Sequence, residues 1–333
     1  MRERLLESGF RELENGSAAD ICIVNSCTVT HKADADSFYA MRRAKRENPR
    51  ARVIVTGCLA ESDADRIRKA GAALIVRNDD KQRMAKIALR LAGQLKPGKT
   101  SWRGISFFKG HARAFLKVQD GCDHYCSYCK IPLVRGPARS RPLSDIVNEA
   151  KKLTDNGYQE IVLCGICLGA YGKDFSPKKN LLSVINALEK IKGLRYLRLS
   201  SIEARDITTG LIQKLAHSEK LCPHLHIPLQ SGDDEILKRM NRKYGAGEFL
   251  GIIRSLKKSV PGIAITTDIL AGFPGETDAH FQNTMKLVKK IQPLKVHAFA
   301  YSRRQGTAAA KVYPQTADAK VVRKRLAQLM QAE

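Results

Sequence analysis

The chain has 333 residues, 43% of them apolar, with 58 Lys and Arg against 33 Asp and Glu, a formal net charge of +25 at pH 7. That length buries a core without disulfide staples and allows two domains. No apolar run approaches the ~18 residues of a membrane span, and the opening MRERLLESGF lacks the apolar core of a secretory signal, so the expected compartment is cytoplasmic.

The first 92 residues alternate between helix and strand. A helix is expected over 2–8, a strand over 20–25, a basic helix over 33–47 stopped by Asn48-Pro49, and a strand over 52–56. A helix ending at Ala70 follows, then Gly71 as a C′ signal, a strand over 73–77 and a helix over 81–91. Uniformly apolar strands between helices indicate a parallel sheet covered on both faces, a doubly wound α/β domain over 1–92. Ligands of such sheets sit beyond the carboxyl ends of the strands, where Cys27 and Cys58 both fall. Cys22 instead lies inside its strand, as a core residue does.

A Gly-, Pro- and Lys-rich linker is expected over 93–110, and a second alternation begins at Phe115. Strands are expected near 115–120, 160–164, 196–200, 224–229, 263–270 and 295–301, with helices near 144–155, 180–191, 206–217, 233–240, 247–259 and 277–290. Six β/α units over 111–315 make a partial version of the eight-stranded barrel, a (β/α)6 domain that puts chemistry at the carboxyl ends of its strands. A basic amphipathic helix closes the chain within 316–333.

The first barrel strand runs into Cys122, Cys126 and Cys129, a C-x3-C-x2-C triplet. Electron-transfer clusters and structural zinc sites normally take four protein ligands. Three thiolates fit an iron–sulfur cluster with one open iron. The competing reading is a Cys3His zinc site completed by His124 or a distant His, although no second C-x2-C pair at zinc spacing is present. A disulfide reading fails on the odd count of nine Cys.

VQDGCDHYCSYCKIPLVRGPARSR resembles the cluster loop of the radical S-adenosylmethionine (SAM) superfamily, in its methylthiotransferase branch. The resemblance implies that Cys122, Cys126 and Cys129 hold a 4Fe–4S cluster whose open iron chelates SAM, with Tyr128 near the adenine. It also implies that an electron from the cluster cleaves SAM to a 5′-deoxyadenosyl radical. Four later strand ends carry motifs in step with it: Gly165 of Leu163-Cys164-Gly165-Ile166-Cys167, Glu203, Gln230-Ser231, and the glycine-rich turn at Gly272. By the resemblance Gly165 lies at the SAM amino group, Glu203 at the ribose or amino group, Gln230 and Ser231 at the carboxylate or ribose, and Gly272 at the adenine.

Asn25-Ser26-Cys27-Thr28-Val29-Thr30 and Val55-Thr56-Gly57-Cys58 resemble the amino-terminal domain of the same family. There three Cys hold an auxiliary 4Fe–4S cluster that supplies sulfur. The Cys-Thr-Val-Thr wording is most similar to the branch acting on N6-threonylcarbamoyladenosine beside the tRNA anticodon. The implied activity is addition of a methylthio group to C2 of that adenosine, with tRNA as substrate and an electron donor (flavodoxin-like or ferredoxin-like) and a sulfur donor as partners. Against the family pattern, the chain opens inside the helix expected after the first strand and first auxiliary Cys, and stops before the family's β-barrel RNA-binding domain. Cys27 and Cys58 are therefore the two auxiliary ligands expected here, with Cys22, Cys164, Cys167 and Cys222 as candidate replacements for a third.

The charge agrees with an RNA substrate. Basic clusters occur at Arg42, Arg43, Lys45, Arg46, Arg50 and Arg52, at Lys238, Arg239, Arg242 and Lys243, and at Lys320, Arg323, Lys324 and Arg325. Arg135, Arg139 and Arg141 resemble an arginine-rich loop near the substrate. Aromatics are only 6% and do not interleave with the basic runs, so recognition by shape and phosphates is expected rather than base stacking. The alternatives are methylthiolation of a ribosomal protein, or a truncated paralogue that binds tRNA without transferring sulfur.

Overall fold

The computed structural model describes residues 1–14, 17–93, 104–108, 110–313 and 317–331. Most of the expected linker over 93–110, and the expected boundary at 315/316, lie outside the described residues. Two compact units form: Met1–Ile105 with Leu133–Arg135, and Ser106–Pro132 with Gly136–Glu333. No helix among the described residues is long and apolar enough to cross a membrane.

The first unit contains α1 (Arg2–Glu7), β1 (Ile21–Ser26), α2 (His31–Glu47), β2 (Arg52–Gly57), α3 (Ala64–Lys69), β3 (Leu74–Val76) and α4 (Met84–Leu91). Its strands are parallel in the order β1-β2-β3. The two-residue period of β2 decides which face each side chain covers. Val53 and Val55 pack with Phe38, Met41 and Ile67 of α2 and α3, while Ile54 packs with Met84 and Ala88 of α4 and Leu5 of α1. Both faces are thus covered, as in a doubly wound sheet. The Thr30 hydroxyl accepts from the Ala33 amide at 3.1 Å, so α2 starts two residues before the expected position. The expected helix after Cys58 is instead a 3₁₀ turn, Leu59–Glu61, followed by α3, with the Glu61 carboxylate turned to accept from the Asn78 amide.

The second unit opens with β4 (Ala114–Lys117), β5 (Gln119–Asp120), α5 (Ile131–Arg135, its last three residues grouped with the first unit), β6 (Arg139–Ser140), α6 (Leu143–Asp155) and β7 (Glu160–Cys164). It continues through α7 (Leu181–Glu189), β8 (Tyr196–Leu199), α8 (Thr209–His217), β9 (His224–His226), α9 (Asp234–Arg239) and α10 (Ala246–Ser259). The last elements are β10 (Ala264–Ala271), α11 (Asp278–Ile291), β11 (Lys295–Ala300), α12 (Ala308–Val312) and α13 (Ala319–Met330). Parallel sheets β4-β7-β8 and β9-β10-β11 are joined by parallel bridges, Leu197 with Leu221 and Ser201 with His226. Six parallel strands therefore follow one another in chain order, the partial (β/α)6 barrel expected from the sequence. Ile161, Leu163, Ile265, Ile269 and Val296 of the strands pack in one core with Ile146, Leu153, Val184, Phe249 and Val288 of the helices. The expected first barrel strand is divided: β5 leaves the parallel sheet and pairs antiparallel with β6. Neither α5, β6 nor α12 was expected, since each is too short to show a period.

Helix α13 docks on this unit through charge. Arg325 Nη1 donates to Glu276 Oε2 at 2.7 Å and Nη2 to Asp278 Oδ1 at 2.8 Å, and the Arg325 and Glu276 side chains are only 5% and 2% exposed. Arg325, counted above with a basic surface cluster, is thus an internal cation. Arg325→Met leaves the Glu276 carboxylate buried without its partner, and the expected loss is about 3–5 kcal/mol. Urea denaturation reads it as a lowered midpoint, and an unchanged midpoint would contradict the docking.

Candidate active site

The cysteine loop leaves β5 and returns through β6, so the Gln119–Asp120 pairing with Arg139–Ser140 ties its two ends together. Gly121 turns the chain at φ +72°, and a Cβ there would lie 1.9 Å from the Pro137 carbonyl, so glycine alone passes. The Cys122 amide donates to Gly136 O at 3.1 Å. Gln119, fully buried, donates through Nε2 to the Asp120 and Gly121 carbonyls at 2.8 Å, while its Oε1 accepts from the Cys167 amide at 2.8 Å. One amide thereby fixes the cysteine loop to the loop after β7. On its other side the Ser127 amide donates to Met240 O and the Ser127 hydroxyl to Arg239 O, at 2.9 and 2.7 Å. Tyr128 packs on Ile236, Met240, Phe273 and Ala309.

All three triplet thiols are free and partly buried. The Cys126 sulfur accepts from Arg242 Nη1 at 3.4 Å. The Cys122 sulfur accepts from the His124 amide at 3.4 Å, and the Sγ atoms of Cys122 and Cys167 and a ring nitrogen of His124 lie within 4.8 Å of one another. Cys167 lies 3.5 Å from His124 Nε2. Hydrogen bonding from Cys167 outweighs burial and draws the Cys122 thiol down to about 6, while Cys167 is pushed up by the same contact. Burial pushes Cys129 up to about 12 and also raises Cys126, against the nearby positive charge of Arg242. A set of soft sulfur donors, free of disulfides and facing a buried guanidinium, suits an anionic iron–sulfur cluster. The chemistry of these donors fits that group, and Cys122, Cys126 and Cys129 are the residues expected to hold it.

The other expected SAM contacts lie at strand ends of the same unit. Glu203 binds Arg242 through both carboxylate oxygens, Oε1 at 3.1 Å from Nη1 and Oε2 on Nη2. Gln230 takes a left-handed conformation, φ +68°, and pairs through its backbone with Asp268 and Leu270. Ser231 is 1% exposed, its hydroxyl engaged with Thr284 and the Asp233 amide inside the fold. Gly165 lies against Gln119, since a Cβ there would come 3.1 Å from Gln119 Oε1. Gly272 lies against α13, its amide donating to Glu276 Oε2 at 2.7 Å and its Cβ position 2.5 Å from Val322 Cγ2. Between these strand ends the barrel wall is polar: His226 Nε2 lies 3.1 Å from Asp268 Oδ2, with the His297 ring beside it.

In the first unit, β1 and β2 end side by side with Ser26 opposite Gly57, so Cys27 and Cys58 leave adjacent strands at one edge. Cys27 is exposed and Cys58 buried. The Ser37 hydroxyl accepts from the Cys27 amide at 3.1 Å, and Arg135 Nε donates to Cys58 Sγ at 3.0 Å. Cys22 packs against the core beside α2, as its position inside the strand implied. The three expected RNA-binding arginines have different surroundings. Arg139 is exposed, Arg135 meets Cys58, and Arg141 is held inside the fold by Glu149 at 2.6 Å and by the Lys117 carbonyl.

Gln119, Arg242 and the position of Cys167 beside Cys122 escaped the sequence reading. Arg242 stands among a run of cations in the sequence; the structure buries it, because Glu203 and Tyr244 supply its partners. The thiol shifts set an order of reactivity, since the thiolate is the nucleophile. In the cluster-free chain at pH 7.5, iodoacetamide is expected to label Cys122 well before Cys129, and Cys122 labelling should fall as the pH drops through about 6. Peptide mass mapping reads both. Equal rates at the two positions would contradict the assigned surroundings.

Residues 116–288 match the radical SAM superfamily, and residues 1–76 match uncharacterized protein family UPF0004. Threonylcarbamoyladenosine tRNA methylthiotransferase of Chlamydia pneumoniae is 39% identical over 310 residues, covering 92% of this chain and 72% of the relative. That of Bacillus subtilis (strain 168) is 38% identical over 325 residues, covering 93% and 71%. A tRNA-2-methylthio-N(6)-dimethylallyladenosine synthase of Clostridium tetani is 34% identical over 322 residues, covering 92% and 71%. Among solved structures, the radical SAM methyltransferase TsrM from Kitasatospora setae aligns with a TM-score of 0.62 at 13% identity, over 89% of this chain and 66% of that one. The cobalamin-dependent SAM radical enzyme OxsB aligns at 0.57 and 10%, over 100% of this chain and 50% of that one. At those identities the structures attest the fold alone. The chain belongs to the radical SAM superfamily and, within it, to the methylthiotransferase family.

Proposed function

We propose that this protein is a tRNA methylthiotransferase that adds a methylthio group to C2 of N6-threonylcarbamoyladenosine beside the anticodon. One observation carries the reading: a C-x3-C-x2-C loop fixed at the carboxyl edge of a partial barrel, in a chain 37–39% identical to three enzymes named for that substrate. The residues divide the work between two regions, a sulfur-supplying domain over 1–92 and a radical-generating domain over 111–315. When bound, a 4Fe–4S cluster supplies the electron that cleaves SAM to a carbon radical.

The chain's own part is to hold and orient. Cys122, Cys126 and Cys129 would hold the cluster, three thiols for a group that also binds SAM. Tyr128, Gly165, Glu203, Gln230, Ser231 and Gly272 shape the surroundings of SAM. Cys27 and Cys58 serve the auxiliary cluster. Arg135, Arg139 and the net charge of +25 favour the RNA backbone, while Arg141, bound to Glu149, braces the loop from within. The partners are tRNA, an electron donor of flavodoxin or ferredoxin type, and a sulfur donor, in the cytoplasm.

The test is nucleoside mass spectrometry after anaerobic incubation of the reconstituted chain with SAM, dithionite and tRNA. The tRNAs carry either threonylcarbamoyladenosine or dimethylallyladenosine. Methylthio product is expected from the first tRNA and not the second, and it should vanish in Cys122→Ala. Product from dimethylallyladenosine alone would overturn the substrate assignment, and product from neither would overturn the activity. Binding to the preferred tRNA should also weaken by roughly 10³-fold or more between 50 and 200 mM salt if six or more phosphates are neutralised. A salt-independent affinity would contradict recognition through phosphates.

A further inference from the structure

Arg242 follows α9 in a segment rich in cations, yet it is 8% exposed, and its donors are engaged from several directions. Nη1 reaches Cys126 Sγ at 3.4 Å and Glu203 Oε1 at 3.1 Å. Nη2 meets Glu203 Oε2, Tyr244 Oη at 2.7 Å and the Pro228 carbonyl at 3.3 Å, and Nε meets Tyr244 Oη at 3.1 Å. Tyr244, itself buried, is anchored by donating to Pro228 O at 2.8 Å. A guanidinium held on this many sides keeps one orientation, so its field at the Cys126 sulfur is constant.

We propose that Arg242 sets the reduction potential of the SAM-binding cluster, as a fixed counter-charge hydrogen-bonded to the Cys126 sulfur and moderated by the Glu203 carboxylate. The inference rests on the reading of Cys122, Cys126 and Cys129 as cluster ligands. Reduction places one electron on the cluster and makes it more negative. A nearby cation and an N–H···S bond stabilise that reduced form and raise the potential, as hydrogen bonds to sulfur and local charge do in iron–sulfur proteins generally. Glu203 acts in the opposite sense by partly neutralising the guanidinium, which keeps the reduced cluster a strong enough reductant for SAM. Arg242 is thus a positioning residue acting through Cys126, and Glu203 has a role that does not require contact with SAM.

The opposed signs supply the test. The full chain and its Arg242→Gln, Arg242→Lys, Glu203→Gln and double Gln variants are reconstituted anaerobically and titrated with dithionite without SAM. The reduced cluster is followed by electron paramagnetic resonance, with iron content and thermal midpoint measured in parallel. Arg242→Gln is expected to lower the reduced-to-oxidised ratio at fixed poise about tenfold, a downward shift of about 59 mV for a one-electron couple. Glu203→Gln should shift it upward, Arg242→Lys should fall between parent and Arg242→Gln, and the double variant should return toward the parent. Unshifted potentials, or downward shifts in both single Gln variants, would overturn the inference, the latter marking mere loosening of the loop. If Arg242→Gln loses its iron, Glu203→Gln and Arg242→Lys still decide the sign. A parent chain that takes up no iron would overturn the ligand reading itself, and is recognised by its iron content rather than by an unshifted potential.

Discussion

Eight residues, Cys122 to Cys129, carry the three thiols of the proposed cluster site, and so short a segment has no core of its own to hold it. Its order comes from outside. Gln119 joins it to the loop after β7, the β5–β6 pair closes its ends, and the carbonyls of Arg239 and Met240 take the Ser127 hydroxyl and amide. Each of those partners is fixed by the barrel: Gln119 by following β4, Met240 by its place in the cluster with Ile236 and Phe273. The stability of the parallel sheet is therefore what converts a flexible loop into a site of defined geometry.

Charge works at two levels in this chain. The surplus of Lys and Arg creates a long-range field suited to a polyanion, but several arginines that contribute to the count act internally. Arg325 docks α13 through Glu276, Arg141 is bound to Glu149, and Arg242 joins Glu203 to the Cys126 sulfur. Breaking such a buried pair strands a charge in a dry setting, at a cost several times that of an exposed pair. The count of Lys and Arg thus overstates the cations open to RNA, whereas the net charge of +25 already subtracts the paired carboxylates.

The layout of both regions was legible because their strands are apolar, separated by helices and ended by polar or glycine motifs; β2 and β7 are clear cases. The triplet was legible because ligand spacing is a local property. What escaped depended on distant partners. The burial of Arg242 follows from Glu203 and Cys126, the latter 116 positions away, and no local pattern distinguishes it from the cations beside it. The approach of Cys167 to Cys122 and His124 likewise requires β4 and β7 to be neighbours first. Helix α2 starts at His31 rather than at 33 because the Thr30 hydroxyl caps it, a signal local to the sequence.

The central claim is that three thiols leave one iron of the cluster open to SAM. The most direct measurement is the electron paramagnetic resonance spectrum of the dithionite-reduced chain before and after SAM is added. Coordination of the SAM amino and carboxylate groups to that iron predicts a changed spectrum, with the change retained in a Cys27→Ala/Cys58→Ala chain that keeps only this cluster. A spectrum indifferent to SAM would contradict the account.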